Sequence, residues 1–413
     1  MRILLWHGYL LGGTGSNVYT RSIAREWSRG GHDVVVVSQE GNPELYDLGG
    51  AKTVRPDIGG VLPVFVLDRY EGYDVHLLQD LAQEERGRIV EANAAALREL
   101  VPADLVFANH VLLGGPVGAA GGIPFAVKAH GSELEYSMRG NDELGRWARE
   151  TLAEARAVFV GSAHIRGVLE DVVGHVDRVY EVPPGVDVEE FRPKPRAEAL
   201  ADLLEEAHRD RPNPGNANER LPDDGNAERI EAFFAGDRHK PTVLYFGKLL
   251  RNKGVHLLLE ALRRVDARAV IVGFGEHRAE FEAMAGPNVL FTGPLEHRHL
   301  VHLIPLADVT VVPSVFPEAF GMVAAEAAAG GSLPLVARHS GLAEIAEALE
   351  EVGVDASFES GDVDDLTEKL DALLRLSPAE RVDLSGRARR VAEEHWSWAG
   401  VAGRLLEPFQ GAG

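Results

Sequence analysis

The sequence predicts an α/β protein built from two doubly wound domains, each a parallel sheet with helices on both faces. Three observations carry this expectation. Short β-branched runs alternate with helical patterns along most of the chain. The alternation breaks once, between Lys194 and Lys240, and then restarts. The 413 residues also exceed what one core ordinarily holds, so two domains of about 150–200 residues are expected.

In the first half, Ile3–Trp6 reads as a strand, followed by a glycine-rich turn at Gly12-Gly13-Thr14-Gly15 and a helix from Asn17 to Ser28. Gly30-Gly31 stops that helix, and Val34–Val37 is a buried strand. Further strands are expected at Leu105–Ala108, Phe125–Ala129, Val158–Val160 and Val179–Val182. The stretch 191–240 is polar, turn-rich and poor in core residues, and reads as an inserted, partly mobile segment with helical pieces at Glu198–Ala207 and Ala227–Phe234. The second half gives strands at Thr242–Phe246, Ala269–Val272, Val289–Phe291, Val309–Val312 and Pro334–Ala337, with a helix at His256–Val265. It ends in helices at Pro378–His395 and Trp396–Phe409. Domains are therefore expected at 1–190 and 241–394, facing one another across a ligand cleft, with the chemistry in loops beyond the carboxyl ends of the strands.

Composition narrows the function. There is no cysteine, which excludes disulfides, thiolate metal sites and thiol nucleophiles. A net charge of −22 without a basic run argues against nucleic acid as a partner and gives no support to a membrane surface. The opening strand is too short for a signal peptide, and no apolar stretch approaches the ~20 residues of a membrane helix, so a cytoplasmic location is expected.

The strongest constellation is Pro317-Glu318-Ala319-Phe320-Gly321-Met322-Val323-Ala324-Ala325-Glu326, after the strand Val309–Val312. Glu318 precedes a helix, and Glu326, eight residues on, lies about two turns inside it, where an alanine-rich helix ordinarily avoids charge. The N–H groups of Phe320, Gly321, Met322 and Val323 are unsatisfied at the helix start and form a ready site for a diphosphate. Ionised carboxylates only accept hydrogen bonds, which suits Glu318 to sugar hydroxyls and Glu326 to ribose hydroxyls. A second feature, Phe246-Gly247-Lys248-Leu249-Leu250-Arg251-Asn252-Lys253-Gly254, places Lys248 and Lys253 on a glycine-bounded loop after a strand, where two cations can meet two phosphates. In the first half, Gly12 and Gly13 permit close backbone approach, and His130 follows a strand at its carboxyl end.

Taken in order, Gly247–Gly254, Val272-Gly273-Phe274-Gly275, Phe291-Thr292-Gly293 and Glu318-x7-Glu326 resemble glycosyltransferase family 4, the retaining enzymes of GT-B fold that include sucrose-phosphate synthases and inositol- or lipid-directed transferases. Gly12-Gly13, His130-Gly131-Ser132 and Pro184-Gly185-Val186-Asp187 fit the family's first domain and its exit. The resemblance implies a GT-B fold whose last helix, after about residue 395, crosses back onto the first domain. It implies that Lys248 and Lys253 hold the diphosphate, although arginine is usual at the first position. It further implies that Glu318 touches the transferred sugar, Phe320, Gly321 and Met322 present amides, Glu326 binds ribose, Gly293 lies near the base, and His130 stands beside the reacting sugar.

Other signals carry less. Neither Gly13-Thr14-Gly15 nor Gly273-Phe274-Gly275 completes a dinucleotide fingerprint. Asp362-Val363-Asp364 reads as a helix cap, and His297, His299 and His302 as a surface turn. The expected activity is transfer of a hexosyl unit from a UDP- or GDP-sugar to a hydroxyl of a small-molecule, glycan or lipid acceptor, with retention and with neither cofactor nor metal. A phosphorylase-like enzyme and a non-catalytic nucleotide-sugar-binding module are the alternatives. A peripheral membrane role and the oligomeric state are left open.

Overall fold

The computed structural model describes residues 1–66, 72–211, 213, 221–236 and 240–410. The chain divides into two compact units, Met1–Gly185 with Trp398–Gly413, and Val186–Ser397.

The first unit holds a seven-stranded parallel sheet, formed by β1 (Arg2–Trp6), β2 (Asp33–Val37), β3 (Lys52–Val54), β6 (Leu105–Asn109), β7 (Phe125–Lys128), β8 (Ala157–Val160) and β9 (Val179–Glu181) in the order β3-β2-β1-β6-β7-β8-β9. The inner strands β1, β2, β6, β7 and β8 are apolar at successive residues because both faces are covered, whereas the edge strands β3 and β9 are partly polar and exposed. Leu4, Trp6, Val35, Val37, Val106 and Ala108 enter one core, while Ile3, Leu5, Val34, Val36, Leu105 and Phe107 enter the other. The second of these cores is closed by the terminal helix Trp398–Leu406, whose Ala402 carbonyl accepts from Trp27 Nε1 at 2.9 Å. After β2 the chain carries β3 and then β4 (Val61–Val64), and β4 pairs in parallel with β5 (Asp74–Leu77) as a separate two-stranded sheet. Between β6 and β7 lies the helix Gly114–Ala120.

The second unit carries β10 (Thr242–Phe246), β11 (Arg268–Val272), β12 (Val289–Phe291), β13 (Val309–Val312), β14 (Leu333–Ala337) and β15 (Ser357–Phe358), all parallel in the order β12-β11-β10-β13-β14-β15. Chain order reverses between β10 and β13, and such a switch point opens a crevice at the carboxyl ends of the strands. The helices Arg196–His208 and Asn226–Ala235 bury Ala199, Leu203, Ile230 and Phe234 in this unit's core. They therefore form part of the domain rather than a polar excursion. Of the turn-rich run between them, residues 212 and 214–220 lie outside the described residues.

Two helix expectations need adjustment. The helix begun by Pro378 ends at Val391 and passes through a wider turn, Ala392–Trp396, before the terminal helix starts at Trp398. His297–Leu303 is a helix and not a surface turn: His299 is fully buried, and its Nδ1 accepts from the Glu296 N–H at 3.2 Å, completing a capping box. Asp362 caps its helix, accepting from the N–H groups of Asp364 and Asp365 at 2.9 and 3.0 Å.

Candidate active site

In the second unit, the loops after β10, β11, β12 and β13 are laid side by side by close backbone approaches. Gly273 N–H donates to the Gly293 carbonyl at 2.9 Å, and Leu249 N–H donates to that of Phe274 at 2.8 Å. Gly254 has φ +71°, and a Cβ there would stand 1.7 Å from the Pro313 carbonyl oxygen. Only glycine tolerates both conditions. That contact seats the loop after β10 on the loop after β13, where Val315 and Phe316 donate their N–H groups to the Asn252 carbonyl at 3.0 and 3.2 Å.

The consequence is that Lys253 Nζ reaches Glu318 Oε1 at 2.5 Å, with both side chains about three-quarters buried. Glu318 is fixed from behind. Its N–H donates to Ser340 Oγ at 2.9 Å, its carbonyl accepts from Gly341 N–H at 3.0 Å, and His339 Nε2 holds the Ser314 carbonyl at 2.6 Å. Lys248 is exposed, and its backbone carbonyl accepts from Tyr245 Oη at 2.8 Å.

The helix Met322–Gly330 starts from Gly321 at φ +118°, a conformation open to glycine. The amides of Met322 and Val323 are its first and have no carbonyl within the helix to bond. The Phe320 side chain is buried, 6.0 Å from the Trp396 ring centroid, so what it can offer a ligand is backbone. Glu326 lies on the second turn, half-buried, and burial pushes its carboxyl up to about 7 against the opposing pull of His297. Gly293 has φ +69° and is bordered by Asp223, whose carboxylate takes both terminal nitrogens of Arg278 at 2.5 and 2.7 Å. Among the described residues, no three His, Asp or Glu side chains gather as metal ligands do.

In the first unit, Gly12 approaches Tyr46, and Gly13 is exposed at φ +93°. His130 stands beyond β7. Its Nε2 meets Asn109 Oδ1 at 2.7 Å, its ring lies edge-on to Tyr19 at 5.1 Å, and burial with the nearby His110, Lys128 and His7 pulls its pKa well down, so it is neutral at pH 7. Sequence reasoning missed its neighbours. His7 follows β1 and His110 follows β6 just as His130 follows β7, so the criterion that singled out His130 would have found all three. Buried Glu133 was missed as well. It accepts from the His130 N–H at 2.9 Å, and its carboxylate lies 3.2 Å from His110 Nδ1.

Against known families, residues 227–391 match the profile of Glycosyl transferases group 1 and residues 13–190 match Glycosyltransferase Family 4. The chain belongs to glycosyltransferase family 4. It is a glycosyltransferase of GT-B fold, and the two matches between them take in most of both units. Among curated family members, it is 27% identical over 317 residues to the GDP-mannose-dependent alpha-(1-6)-phosphatidylinositol monomannoside mannosyltransferase of Mycolicibacterium smegmatis, covering 73% of each chain. It is 30% identical over 262 residues to the D-inositol 3-phosphate glycosyltransferase of Xylanimonas cellulosilytica, covering 60% of this chain and 55% of that one. In fold it resembles sucrose-phosphate synthase from Thermosynechococcus elongatus (TM-score 0.68, 22% identity, 99% and 98% covered). It also resembles Anabaena HepE solved in complex with UDP (TM-score 0.70, 15% identity, 99% of each chain). No helix among the described residues is long and apolar enough to cross a membrane.

Proposed function

We propose that this glycosyltransferase moves a hexosyl unit from a UDP- or GDP-sugar to an acceptor hydroxyl with retention at the anomeric carbon. The observation that carries the donor site is the Lys253–Glu318 pair beside the start of the helix that bears Glu326. In this reading the diphosphate takes the Lys253 ammonium, with Lys248 and the amides of Phe320, Gly321, Met322 and Val323 sharing its charge. Drawing Lys253 away frees the Glu318 carboxylate to accept from sugar hydroxyls. Glu326 accepts from the ribose hydroxyls, and Gly247 and Gly293 leave room for phosphate and base. Gly12 and Gly13 let backbone approach the phosphate and acceptor, and His130 orients a hydroxyl of the reacting sugar.

These groups carry the leaving charge with lysines and helix amides, so no metal or cofactor is assigned a step. Thermal shift with UDP, GDP and their hexose conjugates tests the donor, since a ligand at ~100 times its Kd adds about 2.7 kcal/mol of apparent stability. NMR of the product anomer tests retention. An inverted product overturns the stereochemistry, and failure of every nucleotide to raise Tm overturns the donor site.

A further inference from the structure

Two consecutive residues, Ser340 and Gly341, open the helix Ser340–Glu350 after β14 and take both polar groups of the Glu318 backbone. The Ser340 hydroxyl oxygen accepts the Glu318 N–H at 2.9 Å, and Gly341 gives its own N–H to the Glu318 carbonyl at 3.0 Å. The approach is close. A Cβ at Gly341 would stand 2.7 Å from the carbonyl carbon and oxygen of Ala319 and from Phe320 Cα, so the helix start presses on the backbone that leads from Glu318 to Gly321.

Ser340 is held there against its own preference. Its φ is +48°, in the left-handed region that a non-glycine residue enters at a cost and keeps only where its surroundings enforce it. Glycine would adopt this backbone without that cost. What glycine lacks is the hydroxyl, and the hydroxyl is what meets Glu318. The strain therefore accompanies a hydrogen bond to the residue assigned to the sugar.

The far end of the same loop is held by the neighbouring side chain. His339 Nε2 lies 2.6 Å from the Ser314 carbonyl, which only accepts, so the ring donates to it. Nδ1 of that ring lies 3.0 Å from Ser340 Oγ. One histidine thus spans from Ser314 to the serine that binds Glu318. Between these ends, Ser314 Oγ donates to the Phe316 carbonyl at 3.0 Å, and the Asn252 carbonyl takes the N–H groups of Val315 and Phe316. The side chains of Val315 and Phe316 are 42% and 44% exposed, so hydrogen bonds rather than burial hold this loop in place.

That anchoring has work to do when a donor binds. While Lys253 holds the Glu318 carboxylate, the ion pair fixes its position. Once a diphosphate draws the lysine away, the anchored main chain alone decides where the carboxylate can reach. A displacement of about 1 Å in a group that must meet a bound substrate can cost on the order of a hundredfold in rate.

We propose that Ser340, backed by His339, is a positioning residue for the donor sugar: its hydroxyl sets the Glu318 main chain so that the carboxylate meets the hexosyl hydroxyls when Lys253 turns to the diphosphate. This deepens the transferase reading and rests on it.

Calorimetric titration of the full-length chain with UDP, UDP-glucose, GDP and GDP-mannose tests the proposal. The quantity read is the ratio of affinities for a nucleotide sugar and for its own nucleoside diphosphate, in the pair that the parent binds. Glu318→Ala should lower that ratio on the order of tenfold, and Ser340→Gly by roughly threefold or more. A residue that merely supports the fold would weaken both ligands alike and leave the ratio unmoved. Ser340→Thr keeps the hydroxyl but branches at Cβ, which the left-handed region tolerates poorly, so it should keep the ratio while lowering Tm. Ser340→Gly should do the opposite, lowering the ratio without a comparable fall in Tm. His339→Phe removes the donor to Ser314 and should lower the ratio as well. Added to Glu318→Ala, Ser340→Gly should lower it no further, because the serine acts through the glutamate.

An unchanged ratio in Ser340→Gly, a lowered ratio in folded Ser340→Thr, or a further fall in the double variant overturns the proposal. The transferase reading survives those outcomes as long as Glu318→Ala lowers the ratio. If Ser340→Thr does not fold, Ser340→Gly and the double variant decide. An unchanged ratio in His339→Phe overturns the backing role of the histidine. A ratio that Glu318→Ala does not move removes the sugar role of Glu318 and the proposal with it, and a parent that binds none of the four ligands overturns the donor site itself.

Discussion

Lys253 and Glu318 pair at 2.5 Å although 65 residues separate them in the chain, because Gly254 lets one loop settle on the backbone of the other at Pro313. Each charge is the other's partner. A diphosphate must compete for the lysine, and a sugar hydroxyl for the carboxylate.

Lys253→Ala is therefore expected to lower kcat/KM by about ten- to a hundredfold, the value of one charged hydrogen bond at roughly 1.5–3 kcal/mol. Because the two groups share one network, Lys253→Ala with Glu318→Gln should cost less than the sum of the single changes. Steady-state kinetics on the four proteins measures this. Strict additivity would show that the pair is not a functional unit.

Gly254→Ala adds a Cβ that would sit 1.7 Å from a backbone oxygen, at a φ of +71°. Neither backbone can yield cheaply, so the loop should shift, with loss of nucleotide affinity alongside a lower Tm. A variant that retains parental affinity and Tm would mean that the two loops are not locked together.

Glu326 gives a dependence on pH whose sign can be worked out. Burial raises its carboxyl from the usual range to about 7, so the folded protein holds a proton that the unfolded chain has released between about pH 4.5 and 7. The stability contributed at this site is therefore greatest below the unfolded value and falls as pH rises through that window. Ribose hydroxyls need the ionised acceptor, so nucleotide affinity should instead rise with pH, by up to about tenfold per unit below 7. Calorimetric titrations at pH 5.5, 6.5 and 7.5 on the parent and on Glu326→Gln test this. The variant should bind weakly and without that slope, and an equal slope in both proteins removes Glu326 from the ribose site.

With lysines and helix amides assigned to the diphosphate, turnover is expected to continue in excess EDTA. Complete loss of activity, restored by Mg²⁺ or Mn²⁺, would reverse that expectation.

The sheets were legible because their strands are continuous apolar runs buried on both faces, as Val34–Val37 and Val309–Val312 show. The strands Lys52–Val54, Val61–Val64 and Asp74–Leu77 were not, since they are short, partly polar or proline-bearing, and set among glycines. Spacing within one segment revealed Glu318 and Glu326. No local pattern records that Lys253 meets Glu318 or that Glu133 supports His110, because those meetings are made by the crossover order of the strands and by glycines that let loops touch.

The helices Arg196–His208 and Asn226–Ala235 were read from the sequence, but their weight was not, because the polar run between them dominates local composition. Leu203 is fully buried and Phe234 is 6% exposed, and both belong to the second unit's core. Outside the core, Arg298 binds Glu206 at 2.9 Å and Asp210 at 2.5 Å, tying the end of the first helix to the helix at His297–Leu303. These pairs are part-buried, with Glu206 and Asp210 mostly covered, so they add more than exposed pairs do, but the apolar contacts should carry the larger share. Leu203→Ala is then expected to cost about 2–5 kcal/mol and Phe234→Ala about 3–5 kcal/mol, whereas Arg298→Ala, which leaves two part-buried carboxylates without that partner, should cost about 1–3 kcal/mol. Urea denaturation of the three variants decides the matter. Losses below about 0.5 kcal/mol for both apolar substitutions would mean that this stretch is an appendage after all, as its composition suggests, and that the domain folds without it.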